Sequence, residues 1–307
     1  MLFLHWISLV GLNIPTDSKF TIHEEPVSVQ DGKYTRSEVR SITINFIEKQ
    51  PGSSAMKNVA VAVNLASRTK LLKSTVDIEI FDLEIFALQQ LSNSNHIVQI
   101  RAYKIHPVPN SPNYKVIALF ERPLSTSKIV FDCMRGLNVD IIPRLKLLTI
   151  NMLLALQDLQ RMSFSHLEIT PNNIFSFVKF GAIEFKLGNF ENLCVDSECS
   201  TVLTNDYAAP EMDDFVFRQM QHALSLPNYD GFKADMFSLG AIICRYAGIG
   251  AEQNRFKCFT RILTKEEAVN HLGGNSFDTF DFCQKLVQCM PLDRMGVNEA
   301  LEHAFIK

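Results

Sequence analysis

No stretch of this chain is long and apolar enough to span a bilayer. The most apolar segment, residues 1–12 with Trp6 inside it, has no basic residue ahead of it and no small-x-small cleavage site. It is expected to be a strand or helix packed on the N-terminal part of the domain rather than a targeting segment. Charge of one sign is also missing: 30 Lys+Arg stand against 33 Asp+Glu, a net of −3. A field that weak leaves no footprint for nucleic acid or an anionic membrane. The seven cysteines (Cys133, Cys194, Cys199, Cys244, Cys258, Cys283 and Cys289) form no C-x-x-C pair, which removes the common zinc and redox patterns. Their odd number leads us to expect reduced thiols in an intracellular protein, cytoplasmic or nuclear. There is no G-x-G-x-x-G, and only Gly11 and Gly32 precede Ile42. Backbone there cannot approach a phosphate as closely as a glycine-rich turn would allow. Repeats and low-complexity tracts are absent as well.

What is present has the balance of a globular chain with a full-sized core, 47% hydrophobic and 21% charged. The length of 307 residues suits one two-lobed domain or two small ones. The first hundred residues are mainly strand-like. Ile42, Ile44 and Phe46 alternate with polar residues, and residues 59–63 form a β-branched run. Between them Pro51, Gly52 and two serines mark a turn. Ile78, Phe81, Ile85 and Leu88 then make one helical stripe. Residues 98–103 and 116–120 are expected as strands on either side of a loop holding Pro109 and Pro112. From about Arg122 the chain turns helical. Leu145, Leu148, Met152, Leu156 and Leu159 share one face, and residues 237–243 are apolar almost all round, so that helix is expected to be buried.

Five short segments follow in a telling order. They are His166-Leu167-Glu168-Ile169-Thr170-Pro171-Asn172-Asn173-Ile174, Asn189-Phe190-Glu191, Ala209-Pro210-Glu211, Asp235-Met236-Phe237-Ser238-Leu239-Gly240 and Pro291-Leu292-Asp293-Arg294. Together they resemble the H-R-D-L-K-P-x-N-I, D-F-G, A-P-E, D-x-W-x-x-G and terminal-arginine segments of the eukaryotic protein kinases. Each is weak alone, but five in this order are specific. The resemblance starts near residue 40 and extends to Val61-Ala62-Val63-Asn64, which looks like V-A-I-K. It also covers Glu84 as the helix glutamate and Phe120 as the gatekeeper ahead of a hinge at residues 121–124. It implies an α+β, kinase-like fold with a small β-rich N-lobe carrying one key helix and a larger helical C-lobe. The parts are expected at 1–25 (an extension), 26–122 (N-lobe) and 123–307 (C-lobe).

Within that resemblance the phosphate-handling positions are altered. Kinases position ATP, neutralise its phosphates and orient the accepting hydroxyl. Asn64 stands in the lysine's place, so no ion pair with Glu84 is expected from it; Lys57, Lys70 and Lys73 are the candidates for a relocated cation. Asn189 replaces the metal-binding aspartate, a poor exchange because magnesium favours charged oxygen ligands. Glu168 keeps a carboxylate at the base position but sets it one methylene further out. Asn173, the second metal ligand of the family, is retained, and either contacts a nucleotide or caps a turn. Thr170 replaces a phosphate-steadying lysine, Glu191 puts an anion where the family has glycine, and Leu167 replaces the arginine that receives a loop phosphate.

Structural positions persist. Leu88, Ile100, His166 and Phe190 match the apolar stack of the family, Asp235 its anchor, and Glu211 with Arg294 its buried ion pair. Decay without selection would not sort residues in this way. The resemblance therefore implies a pseudokinase, a catalytically impaired module for binding or regulation. Its expected partner is a protein, for instance an active kinase or its substrate, with neither nucleic acid nor membrane. No cofactor is expected, ATP binding would be weak, and no magnesium site or other metal site is foreseen. The alternatives are an atypical active Ser/Thr-type kinase and a metal-independent nucleotide-binding switch. Glu211 and Asp235 also lie 24 positions apart, about twice the separation the resemblance suggests. The extra segment at 212–231, with Phe215, Phe217, Met220, Leu224 and Leu226, is either a partner surface or a loop folded on its own lobe.

Overall fold

The computed structural model describes residues 7–8, 19–31, 36–51, 56–137, 139–196, 198–201, 205–213, 228–249, 252–253, 259–261 and 276–307. Side chains are described from Leu65 onward, apart from residue 198, residues 252–253 and 259–261, and residue 276. Of the extra segment at 212–231, residues 214–227 lie outside the described residues, as do residues 1–6 and 9–18 of the N-terminal part. The chain divides into two compact units: Met1–Ser92 with Val98–Pro123, and Asn93–Ile97 with Leu124–Lys307.

The first unit is a six-stranded antiparallel sheet and one helix. Its strands are β1 (Ile7–Ser8), β2 (Lys19–Asp31), β3 (Arg36–Pro51), β4 (Met56–Leu72), β5 (Ile100–Pro107) and β6 (Tyr114–Glu121), in the order β1-β5-β6-β4-β3-β2. The alternating Ile42-Ile44-Phe46 stretch falls in β3, and the β-branched run at 59–63 in β4. The helix α1 (Thr75–Gln90) starts at a capping box. Ser74 Oγ accepts from the Asp77 N–H at 3.1 Å, and the Asp77 carboxylate accepts from the Ser74 N–H at 3.0 Å, so two otherwise orphaned amides are satisfied. Phe81, Ile85 and Leu88 are buried at helical spacing, with Glu84 among them.

The second unit is mainly helical. It contains β7 (Ser125–Thr126), α2 (Ser127–Gly136), α3 (Ile142–Arg161), β8 (Phe164–Ser165), the hairpin β9 (Ile174–Lys179) and β10 (Ala182–Leu187), β11 (Cys194–Val195) and β12 (Glu198–Cys199). Then come β13 (Tyr229–Asp230), α4 (Gly231–Ala247), α5 (Ser276–Leu286) and α6 (Val297–Leu301). The predicted stripe of α3 is buried throughout, from Leu145 to Leu159. Asp230 caps α4 by accepting from the Lys233 N–H at 3.1 Å. Gly248, in the left-handed region at φ 68°, closes its far end. Between these caps α4 is buried almost all round, as its apolar sequence requires. A Cβ on Gly240 would lie 2.6 Å from Leu286 Cβ, so this glycine lets α4 and α5 approach closely. Among the described residues no helix is long and apolar enough to cross a membrane.

The cysteines depart from expectation. Cys194 and Cys199 form a disulfide, and Cys289 is disulfide-bonded too; Cys133, Cys244 and Cys283 are free. The pairing of Cys194 with Cys199 has a local cause. Asp196 takes the left-handed conformation at φ 66°, and the chain turns back within five residues to bring the two strand ends together. An odd count of thiols says nothing about such a turn.

Candidate functional site

In the first unit the site residues gather around Glu84. Its carboxylate is buried at the middle of α1 and meets two cations from β4: Arg68 Nη2 at 2.5 Å and Lys70 Nζ at 2.9 Å. Burial alone would push this carboxyl up; the Arg68 and Lys70 charges and their hydrogen bonds overcome that and hold it at about 2. The ion pair that Asn64 could not supply is made here by Arg68 and Lys70. Asn64, placed there by the resemblance, lies in a part of β4 whose backbone pairing alone is described, opposite Thr43. The cations come from four and six residues further along. Arg68 and Lys70 stand two apart and so share one face of the strand. Lys70 was among the candidates for a relocated cation, whereas Arg68 was missed. The signal for it was the apolar-small-x-basic run Leu65-Ala66-Ser67-Arg68, which directly follows Val61-Ala62-Val63-Asn64 and, unlike it, ends on a cation.

Phe120 sits near the end of β6, with Ala66 of β4 opposite it. The Arg68 guanidinium lies 4.9 Å from the centroid of its ring, within cation–π range. Leu88 on α1 and Ile100 at the start of β5 are both buried in this unit.

In the second unit Glu168, Asn173, Asn189 and Asn192 come together. Asn189 Nδ2 donates to Glu168 Oε2 and to Asn173 Oδ1, both at 3.3 Å. Asn192 Nδ2 donates to the same Glu168 oxygen at 2.9 Å, and Asn173 Nδ2 donates to the Glu168 carbonyl at 2.9 Å. The amide orientation follows from the partners: turned over, Asn189 would set its oxygen against a carboxylate and another amide oxygen. Asn189 holds φ 66°, a region asparagine tolerates better than most residues. Asn192 was not foreseen. Only its nearness in sequence to Asn189 hinted at a role.

Behind this cluster the loop is fixed from below. Asp235 on α4 accepts the backbone N–H groups of His166 and Leu167, each at 2.7 Å, and Leu167 is held at φ 63°. Burial pushes the Asp235 carboxyl up to about 7 against the two N–H groups that favour its charged form. The His166 ring stands 4.9 Å from that of Phe190, edge to face. Its Nδ1 accepts from the Glu168 N–H at 3.2 Å, which leaves the proton on Nε2 to be donated to the Gly188 carbonyl at 3.1 Å. Further along, Glu211 and Arg294 form a fully buried two-pronged pair, through Arg294 Nη1 with Glu211 Oε1 and Arg294 Nη2 with Glu211 Oε2 at 2.7 Å.

This donor set is poor in the charged oxygens that magnesium favours. Glu168 is the one carboxylate in the cluster, and its Oε2 accepts two amide N–H groups. The Asn173 side-chain oxygen accepts from the Asn189 amide. Among the described residues no group of three or more His, Cys, Asp or Glu is placed to hold an ion.

No protein-family model and no curated protein matches the sequence. The structure is similar to one titled as the crystal structure of the Rad53 kinase domain and SCD2. The TM-score is 0.55 at 17% sequence identity, over 94% of this chain and 88% of that one. At that identity the likeness speaks to architecture: the chain has a mixed α+β, protein-kinase-like fold.

Proposed function

We propose that this chain is a kinase-like domain that does not transfer phosphate and serves as a binding or regulatory module for a protein partner. An active kinase, or the substrate of one, is the class of partner that a kinase-shaped surface suits. The observation that carries this reading is the Glu168 cluster. Phosphoryl transfer requires charged oxygens to hold a metal and a carboxylate ready to take the proton of a hydroxyl. Here the single carboxylate accepts from Asn189 and Asn192, and the other side chains of the cluster are neutral amides. An amide oxygen attracts a hard cation far less than a carboxylate does.

The test is a phosphotransfer assay with labelled ATP, magnesium or manganese and generic protein substrates, on the wild-type chain and on Glu168→Gln. The expected outcome is no incorporation that Glu168→Gln reduces. Incorporation lost in that variant would establish an atypical kinase and sink the proposal.

A second reading has its own observation. Arg68 and Lys70 place two cations around Glu84 in the first unit. Cations there favour weak, metal-independent nucleotide binding, as in a sensor that binds ATP without using it. Stabilisation by ATP that survives chelation of divalent ions would support this reading, and its absence would leave the plain module.

A further inference from the structure

We propose that the Cys194–Cys199 disulfide is a thiol-sensitive latch on the loop that follows Asn192, a hydrogen-bond donor to Glu168, opened by a dithiol reductant, with the Ser165 hydroxyl receiving the released Cys199 thiolate. The regulatory meaning of the latch rests on the reading of the Glu168 cluster given above; its chemistry does not.

Position comes first. Asn192, whose amide donates to Glu168, stands two residues before Cys194. Cys194 pairs with Ser165 in the β11–β8 ladder, and the chain passes from Ser165 directly into His166. Cys199 pairs with Tyr229 in the β12–β13 ladder, and β13 leads straight into α4, which carries Asp235. The Asp196 N–H adds a 2.6 Å bond to the Ser163 carbonyl. The disulfide thus closes a short loop whose two arms are each stitched to a strand feeding the site. Two-residue ladders are weak on their own, so the covalent link is what holds these arms together.

Access and electronic fit come next. Cys194 is half-buried while Cys199 is 1% exposed, so an incoming thiolate reaches the sulfur of Cys194. Attack there forms a mixed disulfide and expels Cys199 as a thiolate. The second thiol of the reductant then displaces Cys194. The dithiol ends as a cyclic disulfide having given up two electrons, and its two protons go to the two cysteines. A thiolate leaving into a buried place needs a hydrogen-bond donor. Ser165 Oγ is buried and has no hydrogen-bond partner among the described residues. A Cβ built on Gly231 would lie 2.5 Å from Cys199 Sγ and 2.6 Å from Ser165 Oγ, so both groups press on the same glycine. An unsatisfied buried hydroxyl is a standing cost in the oxidised form. Once the bond is open, Cys199 supplies the acceptor that Ser165 lacks.

The test uses the full chain, purified in air, and needs no variant at its first step. Alkylation and non-reducing peptide mapping are expected to find Cys194 linked to Cys199. Titration with dithiothreitol, followed by hydrogen exchange, is expected to speed exchange at residues 164–167 and 194–199 on reduction, while α3 stays protected. The double variant Cys194→Ser/Cys199→Ser should exchange like the reduced chain without any reductant. Ser165→Ala should raise the dithiol concentration at half-reduction roughly fivefold, the effect of losing one neutral hydrogen bond between Ser165 and the Cys199 thiol. Free thiols at both positions, or identical exchange in oxidised and reduced chains, would overturn the latch. An unmoved midpoint in Ser165→Ala would overturn the receiving role. None of these measurements involves nucleotide, so failure of the latch is separable from failure of the functional reading.

Discussion

Removing Glu211 is the sharpest structural perturbation this chain offers. Arg294 has five N–H donors, and all five are used. Nε donates to the Gln288 carbonyl at 2.6 Å, Nη1 to the Lys233 carbonyl at 3.0 Å, and Nη2 to the Cys289 carbonyl at 2.9 Å; the remaining two reach the Glu211 carboxylate. Both side chains are 0% exposed, and the guanidinium lies 4.9 Å from the centroid of the Phe237 ring. In Glu211→Ala the carbonyls and the ring remain, but a buried cation loses its counter-charge with no water to replace it. That costs about 3–5 kcal/mol, the usual result of breaking a buried pair from one side. For a unit of this size, about 2–4 °C of melting temperature per kcal/mol makes a fall of roughly 10 °C. Glu211→Gln, which keeps an acceptor, should fall between the two. The double variant Glu211→Leu/Arg294→Met removes both charges and should recover much of the loss, because no orphaned cation remains. Urea unfolding followed by circular dichroism gives these values directly. A Glu211→Ala chain within about 1 kcal/mol of wild type, or a double variant at the sum of the two single losses, would contradict this prediction.

Two further predictions concern pH. The Glu84 carboxyl, held at about 2 against an ordinary 4.5, contributes stability above pH 4.5 that is lost as pH falls toward 2. Glu84→Gln should therefore flatten acid unfolding between those values and cost on the order of 3 kcal/mol at neutral pH, measured as melting temperature against pH. Asp235 has the opposite sign. With its carboxyl pushed up from 3.8 to about 7, its contribution is full below pH 3.8 and lost as pH rises to about 7. Asp235→Asn should abolish that decline relative to wild type, and a wild-type slope equal to the variant's between pH 4 and 7 would contradict it.

The elements with strong periodicity were legible in the sequence. The Phe81-Ile85-Leu88 stripe, the α3 stripe and the all-round apolar α4 each appear as buried helix, because burial on a helix face leaves a 3.6-residue signature. Strand existence was legible, strand ends less so. Pro51, expected in a turn, is instead the last residue of β3, and β4 begins at Met56. The site was legible where a motif fixes spacing, as for His166, Asp235, Glu211 and Arg294. Register along a strand is harder to read. A shift of four residues along β4 keeps the same face, so Asn64 and Arg68 could not be told apart by strand periodicity. Asn192 and the Cys194–Cys199 bond escaped because both depend on a local reversal of the chain, at Asn189 and Asp196, that composition does not announce.

In the proposed reading this site does not take magnesium with nucleotide, and thermal unfolding of the purified chain with ATP, with and without magnesium, decides the matter. Nucleotide bound to the folded chain at a hundred times its Kd would stabilise it by about 2.7 kcal/mol, well within reach of the method. Magnesium is expected to add nothing to whatever ATP does alone. A melting temperature that rises with ATP only when magnesium is present would contradict it.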